Sequence, residues 1–142
     1  MNAPAARPTR PMDFRTRKMV MSGDLNGAGS LFGGRVLEWV DQEAAVYAYC
    51  QLNYPRQLVT KAMSAIEFTS PAHLGDFIEI GLRTVGLGVS SISLEALVRN
   101  KKTRAAILHI DRIVFVNLEE GRPQPHGVTW DSLARADSAD AP

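Results

Sequence analysis

The stretch LFGGRVLEWVDQEAAVYAYCQL, residues 31–52, carries a sustained helical pattern. Its apolar residues recur at spacings of three and four, while charged and amide side chains occupy most of the positions between them. This periodicity predicts one long amphipathic helix whose apolar residues include Leu37, Val40, Ala44, Tyr47 and Ala48. Asn53 and Pro55 predict the C-terminal end of the helix.

Four runs after the helix have the composition of β-strands and are separated by turn-forming sequence. They cover residues 58–68, 76–85, 90–99 and 105–117, and we expect an antiparallel meander, with one more strand at 14–21. In the last run the apolar parity changes between Ile110 and Ile113, which a β-bulge near Asp111 or burial on both faces would explain. One helix and one curved sheet predict a two-layer α+β fold.

The composition predicts one domain and disfavours several classes of partner. The 142 residues suffice for one core, and 16 basic against 15 acidic side chains give no strong field for nucleic acid or an anionic membrane. No apolar run is long enough to span a bilayer, the first residues have no apolar core of the kind that a secretory signal carries, and Cys50 is alone, so we expect a cytoplasmic protein. We expect mobile tails at 1–12 and 127–142 around a domain at 13–126.

Glycines are concentrated immediately before the helix: five of the eleven lie between Gly23 and Gly34. At the helix start, Gly33 and Gly34 would let a ligand approach backbone N–H groups that carry a partial positive charge. A flexible connection is the alternative, and the sequence GAGSLFG does not fit the dinucleotide fingerprint. We disfavour a hairpin at Asn26-Gly27 because a helical period follows.

Asp41 lies within the apolar pattern of the helix, on the face of Leu37, Ala44 and Ala48. A carboxylate facing a core is costly unless it is hydrogen-bonded or borders a cavity. The residue is therefore either structural, satisfying nearby backbone, or a partly desolvated general base or nucleophile at a pocket. Two helical turns separate it from the glycine pair, about 10 Å along the axis.

The glycine loop and Asp41 together form a pattern that resembles a known family. The pattern D-x-N-x-x-G-x-x-F-G-G, followed seven residues later by Asp, is similar to that of hot-dog-fold acyl-CoA thioesterases of the YciA and brain cytosolic acyl-CoA hydrolase type. Later pieces agree in order, and the similarity spans about residues 14–126. The matching positions are Asp24, Asn26, Gly29, Phe32, Gly33, Gly34 and Asp41, then Val59-Thr60, Phe68, Pro71, Gly75, Asp76 and Ser91 to Ser93.

The resemblance implies a hot-dog fold, a curved antiparallel sheet wrapped around one long helix, and hydrolysis of an acyl-CoA to free acid and CoA. It implies a homodimer as the minimal active unit, paired edge to edge, and a hexamer built as a trimer of dimers. Asp41 of one subunit and Asn26 of the partner subunit would face the same thioester, and an N–H at Gly33 or Gly34 would polarise its carbonyl. We expect no cofactor and no metal, since coenzyme A belongs to the substrate and the product.

A substrate with phosphates needs a binding site away from the reacting carbonyl. The candidates are Arg99 and Lys101, in a basic cluster with Lys102 and Arg104, and Ser90 and Ser91 in the sequence GVSS. Arg99 is the best single choice, and solvated turn charges are the alternative.

Some positions depart from the family pattern, and Lys61 matters most. It either points into the acyl site, where it could pair with Asp41 or an acyl carboxylate, or lies solvated on the outer face. Two other functions stay open: a non-catalytic acyl-CoA-binding or assembly module, and a hot-dog hydratase. The hydratase is the weaker hypothesis because His73, His109 and His126 all lie away from the helix start, and no pair of them has convincing metal-ligand spacing.

Overall fold

The predicted helix is confirmed as α1, Gly33–Gln51, in the computed structural model, which describes residues 10–133. Its most deeply buried stripe repeats every four residues, at Val36, Val40, Ala44 and Ala48. The predicted end is also confirmed: the Leu52 N–H closes the last turn on the Ala48 carbonyl, and residues 53 and 54 adopt a positive φ. That conformation cannot continue a right-handed helix.

All five predicted strands are confirmed to within two residues at each end. The strands are β1 Asp13–Met19, β2 Leu58–Phe68, β3 Phe77–Leu87, β4 Ser91–Asn100, β5 Ala106–Glu119 and a short β6 Arg122–Pro123, which was not predicted. The core lies between one face of this sheet and α1, where strand residues such as Ile80, Leu94 and Phe115 are at most 1% exposed. Burying each such side chain contributes about 1.5–3 kcal/mol.

The order of the strands corrects the predicted meander. The sheet runs β1-β3-β4-β5-β2, with β6 beside β5, so β3, β4 and β5 form a meander but β2 pairs with β5. The segment between β2 and β3 is a crossover: Ala72 is buried, and its carbonyl accepts the N–H of Leu31 beside the helix start. A hairpin would leave that start uncovered, whereas the crossover packs on it and makes β1 and β2 the two edges.

The parity change in β5 comes from a bulge, one of the two explanations that the sequence left open. Between Leu94 and Ala96 of β4, the register along β5 moves from Ile113 to Ile110, so β5 contains one extra residue near Asp111. The bulge lets both Ile110 and Ile113 reach the core, where each is 0% exposed.

The folded part extends beyond the predicted C-terminal boundary. Val128 packs against the core, Leu133 is 0% exposed, and the Leu133 carbonyl accepts a hydrogen bond from Arg10. Residues 127–133 are thus part of the packed structure because they bury apolar side chains, and Arg10 of the predicted N-terminal tail is hydrogen-bonded to them. The remaining tail residues, 1–9 and 134–142, lie outside the described residues. Within residues 10–133, no helix is long and apolar enough to cross a membrane.

Candidate active site

The loop before α1 folds into a tight turn that one isolated bridge closes, and no strand flanks Asn26-Gly27, as expected. Leu25 and Leu31 form an antiparallel bridge, and the N–H of Asn26 donates to the carbonyl of Ser30 at 2.8 Å. Gly29 adopts a φ of 84°, a conformation that favours glycine. The helix begins at Gly33, directly after this turn has closed.

Asn26 stabilises this turn with its own side chain. Its amide oxygen accepts the N–H groups of Ala28 at 2.9 Å and Ser30 at 3.1 Å, and its amide nitrogen donates to the Ser30 hydroxyl at 3.2 Å. The side chain is nevertheless exposed. Because an amide nitrogen carries two hydrogens, one remains to donate to a group outside the loop.

The helix start presents backbone donors between two aromatic rings. The N–H groups of Arg35 and Val36 bond to the carbonyl of Phe32, whereas those of Gly33 and Gly34 precede the first intrahelical bonds. A Cβ on Gly34 would lie 2.7 Å from the Phe32 ring, and one on Gly33 would lie 3.2 Å from the Phe68 ring. Glycine at these positions therefore keeps the donors accessible beside the rings.

A cavity of about 300 Å³ opens next to these donors. Leu31, Val36, Phe68 and Ile107 give it an apolar wall, and Gly33 lies at its edge. The helix start thus combines N–H donors with space for an apolar group.

Asp41 lies at the margin of the buried stripe and not within it. It is half-buried, as are its neighbours Leu37 and Ala45 on the same flank of α1. Its Oδ1 accepts the hydroxyl of Thr60, on the edge strand β2, at 2.8 Å. The carboxylate is thus held by one hydrogen bond and keeps acceptor capacity for another group. The sequence missed Thr60 as a partner, although the Val59-Thr60 pair belongs to the family resemblance.

The residues predicted to bind phosphate do not converge within one chain. Ser91 and Arg99 lie near opposite ends of β4, eight residues or about 26 Å apart, and Lys101 lies further on. Lys101 is near the end of the sheet where α1 begins, since its N–H donates to Phe77 at the start of β3. Ser90 and Ser91 are half-buried at the other end, so the two pairs cannot contact the same phosphate.

Arg99 is committed to the fold. Its Nε donates to Glu79 at 2.6 Å, and its guanidinium lies 3.7 Å from the centre of the Phe14 ring. The Glu79 side chain is only 3% exposed and also pairs with Arg104 at 3.4 Å. A charge as buried as Glu79 requires such a partner, so these contacts give Arg99 a structural role.

Lys61 lies at the register shift in β2 between Thr60 and Ala62 and is exposed. It forms no ion pair with Asp41 within residues 10–133, where every described salt bridge involves other residues.

A family model for the thioesterase superfamily matches residues 28–107, more than half of the chain. The chain belongs to the thioesterase superfamily. The matched region includes Gly33 and Gly34, α1 with Asp41, and Thr60.

Individual proteins agree with this assignment. An uncharacterized acyl-CoA thioester hydrolase of Zymomonas mobilis is 30% identical over 93 residues, which cover 66% of this chain and 57% of that relative. This superfamily member thus spans little more than half the length of that relative.

Two solved structures share the fold. A thioesterase of Thermus thermophilus, complexed with coenzyme A and Zn, is 30% identical, with 89% of this chain and 98% of that chain covered and a TM-score of 0.71. A hexameric hotdog-fold thioesterase of Campylobacter jejuni is 25% identical, with 84% and 92% covered and a TM-score of 0.70. The predicted hot-dog fold is confirmed.

A polar cluster that sequence reasoning missed lies on the sheet face away from α1. Ligand atoms of Glu95, His109 and Asp111 all lie within 4.8 Å of one another. Glu95 accepts Arg83 Nε at 2.6 Å and contacts His109 Nε2 at 2.7 Å, so its carboxylate is already engaged. Burial raises the pKa of Glu95, but hydrogen bonds from His109 and Arg83 outweigh that effect and lower the pKa below its ordinary value. Arg83, Glu95 and His109 thus form a hydrogen-bonded network that joins β3, β4 and β5, with Asp111 beside it.

Proposed function

We propose that this chain is an acyl-CoA thioesterase, which hydrolyses an acyl-CoA to the free acid and CoA. The observation that carries the proposal is the placement of Asp41: a half-buried carboxylate, held by Thr60, two turns along the helix whose start presents the Gly33 and Gly34 donors. The match of the same segment to the thioesterase superfamily supports it.

The reaction requires a nucleophile, a base and stabilisation of negative charge. As general base, Asp41 takes a proton from water while the water oxygen attacks the thioester carbonyl. The carbonyl oxygen becomes an oxyanion that the N–H groups at Gly33 or Gly34 stabilise. Collapse breaks the carbon–sulfur bond, and the CoA thiolate takes up the proton held by Asp41. If Asp41 attacks directly, an anhydride forms and water hydrolyses it in a second step.

The acyl group has an apolar place to bind in the cavity beside Phe68. The mechanism uses protein groups and water alone, so we propose that no cofactor or metal takes part.

We propose that the active unit is a dimer formed through β2. This 11-residue edge strand has only two charged residues and exposes Ile66 and Phe68, whereas the seven-residue edge strand β1 has four charged residues. Charged side chains oppose the pairing of an edge strand with another chain. The less charged strand β2 is therefore the edge better suited to pair with a second copy. Asn26 of the partner subunit would then donate its remaining amide hydrogen to the thioester or the water. Assembly into a hexamer, the state of the Campylobacter jejuni thioesterase, is part of the same proposal.

The proposed dimer geometry supports a second proposal, which concerns the residues that bind phosphate. In an antiparallel β2–β2 pairing, a two-fold axis places the 88–91 loop of one subunit at the end of the joint sheet where α1 of the other begins. We therefore propose that Ser90 and Ser91 of the partner subunit bind the phosphates of coenzyme A. Lys101 lies at the end of the sheet where α1 of its own chain begins, and it would contribute a solvated positive charge to the same phosphate site.

The test is thiol release from a panel of acyl-CoAs by the wild type and by Asp41→Ala. The expected result is hydrolysis by the wild type and none above background by the variant, with both forms binding CoA. A wild type that binds CoA esters but releases no thiol would support the non-catalytic module. Hydration of an enoyl-CoA in place of thiol release would support the hydratase.

A further inference from the structure

The loop that connects β3 to β4, residues 88–91, is held by the C-terminal part of the chain. The N–H of His126 donates to the Val89 carbonyl at 3.1 Å, and the N–H of Asn117 in β5 donates to the Ser90 carbonyl at 2.7 Å. The Ser91 carbonyl contacts His126 Nε2 at 3.0 Å and also accepts the N–H of Gly88. The three successive carbonyls of residues 89–91 thus all accept hydrogen bonds, and they accept them from groups that do not lie on the exposed side of the loop.

His126 makes these contacts in one tautomer. Its Nδ1 lies 3.0 Å from the N–H of Val128, which can only donate, so Nδ1 accepts. Its Nε2 faces the Ser91 carbonyl, which can only accept, so Nε2 carries the hydrogen. The ring is neutral, half-buried and bonded at both nitrogens.

The segment that carries His126, residues 124–128, is itself anchored at both ends. At one end, the buried Asn117 donates its side-chain amide to the Gln124 carbonyl at 2.9 Å and accepts the Gln124 N–H on its backbone carbonyl. At the other end, Val128 packs against the core. His126 therefore connects the 88–91 loop to a segment that is fixed at both ends.

The tied carbonyls leave the opposite side of the loop rich in donors. Within residues 10–133, the backbone N–H groups of Val89 and Ser90 have no acceptor, and Val89 is 75% exposed. Glycine at position 88 leaves room for the Ser91 hydroxyl, because a Cβ at this position would clash with that hydroxyl. Consecutive outward N–H groups with adjacent hydroxyls suit a phosphate oxygen.

We propose that His126 is a positioning residue for coenzyme A binding: through Nε2 it fixes the Ser91 carbonyl, which orients the amides and hydroxyls of the 88–91 loop toward a phosphate. The inference rests on the proposed function, because it assigns the loop to the phosphates of the same substrate. It adds a residue that touches no substrate and acts through the loop.

Three substitutions distinguish the hydrogen bond made by Nε2 from the one accepted by Nδ1. His126→Gln places an amide N–H near the position of Nε2 and can still donate to Ser91, while His126→Asn keeps an acceptor for Val128 but does not reach Ser91. His126→Ala loses both contacts. Each variant is assayed on an acyl-CoA and on the N-acetylcysteamine thioester of the same acyl group, which lacks phosphates.

The expected result is a rise of about five-fold in KM for the acyl-CoA with Ala and Asn, the effect of one lost hydrogen bond. The kcat value, and both parameters for the short thioester, stay within about two-fold, and Gln restores the wild-type KM. His109→Ala is the matched control: this half-buried histidine contacts Glu95, and its loss leaves the KM for the acyl-CoA unchanged. Equal effects on both substrates, or failure of Gln to restore KM, would overturn the inference.

Calorimetric titration with coenzyme A separates this inference from the proposed hydrolysis. Weaker CoA binding by Ala and Asn, but not by Gln, supports the role of His126 even if the wild type hydrolyses no thioester. A wild type that does not bind CoA, or variants that all bind it equally, would refute it.

Discussion

Two carboxylates on α1 make the same contact with opposite edges of the sheet. Asp41 accepts the hydroxyl of Thr60 on β2 at 2.8 Å, and Glu43 accepts the hydroxyl of Thr16 on β1 at 2.5 Å. Residues two apart on a helix point about 200° apart, so each carboxylate serves one edge. A cavity lies near each edge, of about 300 Å³ at the helix start and about 190 Å³ beside Glu43.

The surroundings of the two carboxylates differ. The Glu43 cavity is lined by charged residues of β1, by Cys50 and by Tyr47, where burial raises the phenol pKa. Asp41 lies closer to the glycine donors and beside β2, the less charged edge. A threonine–carboxylate contact is therefore not itself the mark of a catalytic group. Nearby donors for an oxyanion and an edge suited to a second copy distinguish the Asp41 side.

The largest expected effect comes from neutralising each carboxylate in turn. Asp41→Asn lowers kcat for an acyl-CoA by about 10²–10⁴-fold, because an amide neither takes a proton nor attacks the carbonyl. Glu43→Gln, its matched control, lowers kcat by no more than about two-fold. Steady-state thiol release measures both, with circular dichroism to verify folding. Comparable losses of kcat in the two variants would contradict the assignment of catalysis to one edge.

The second expected effect is that of Asn26→Ala, which tests whether the Asp41 side is completed by another subunit. We expect kcat to fall about ten-fold while the oligomer persists, since the proposed role of Asn26 is to position the reacting groups. Thiol release and light scattering measure the two quantities. A mixture of Asn26→Ala and Asp41→Asn chains then provides a sharper test. Mixed dimers would hold one intact site, so activity above that of both parents is expected if Asn26 acts across the interface.

Removal of each threonine hydroxyl has a smaller effect. Thr60→Val leaves Asp41 without its hydrogen-bond donor and should lower kcat about five-fold through a less fixed carboxylate. Thr16→Val should leave kcat unchanged and reduce the free energy of unfolding by about 1 kcal/mol. Urea denaturation and thiol release distinguish these outcomes. A loss of kcat in Thr16→Val, with Thr60→Val unaffected, would reverse the comparison.

The smallest expected effect on activity concerns a third carboxylate, Glu95, on the other face of the sheet. Its pKa is lowered in the folded chain, so its stabilising contribution is present above the ordinary pKa of 4.5 and disappears as the pH falls through the folded value. Glu95→Gln should cost about 1–2 kcal/mol at pH 7 and progressively less toward pH 3, with kcat unchanged. Thermal unfolding of the wild type and the variant between pH 7 and pH 3 measures this difference in stability. A difference in stability that did not narrow in acid would indicate lost packing instead of lost charge.

The local sequence pattern predicted the helix and the strands but not which strands lie side by side in the sheet. The bounds of α1 followed from its 3.6-residue period and from Asn53, and the parity change in β5 indicated either a bulge near Asp111 or burial on both faces. The pairing of β2 with β5 could not be predicted, because the buried contact of Ala72 with the helix start is formed between distant segments. The separation of Ser91 from Arg99 was available from the sequence, since a predicted strand of ten residues already places its ends far apart.

The sequence by itself determined the helix, the strands, the glycine pair and the presence of an acid, Asp41, among the apolar positions of the helix, because these depend on the spacing of neighbouring residues. Only the tertiary structure decided that Thr60 holds Asp41, that Arg99 is held by Glu79 and that His126 supports the 88–91 loop. These contacts join residues 19, 20 and 35 positions apart. Hydrogen bonds between such positions depend on strand order and register, which are settled by the packing of the whole core.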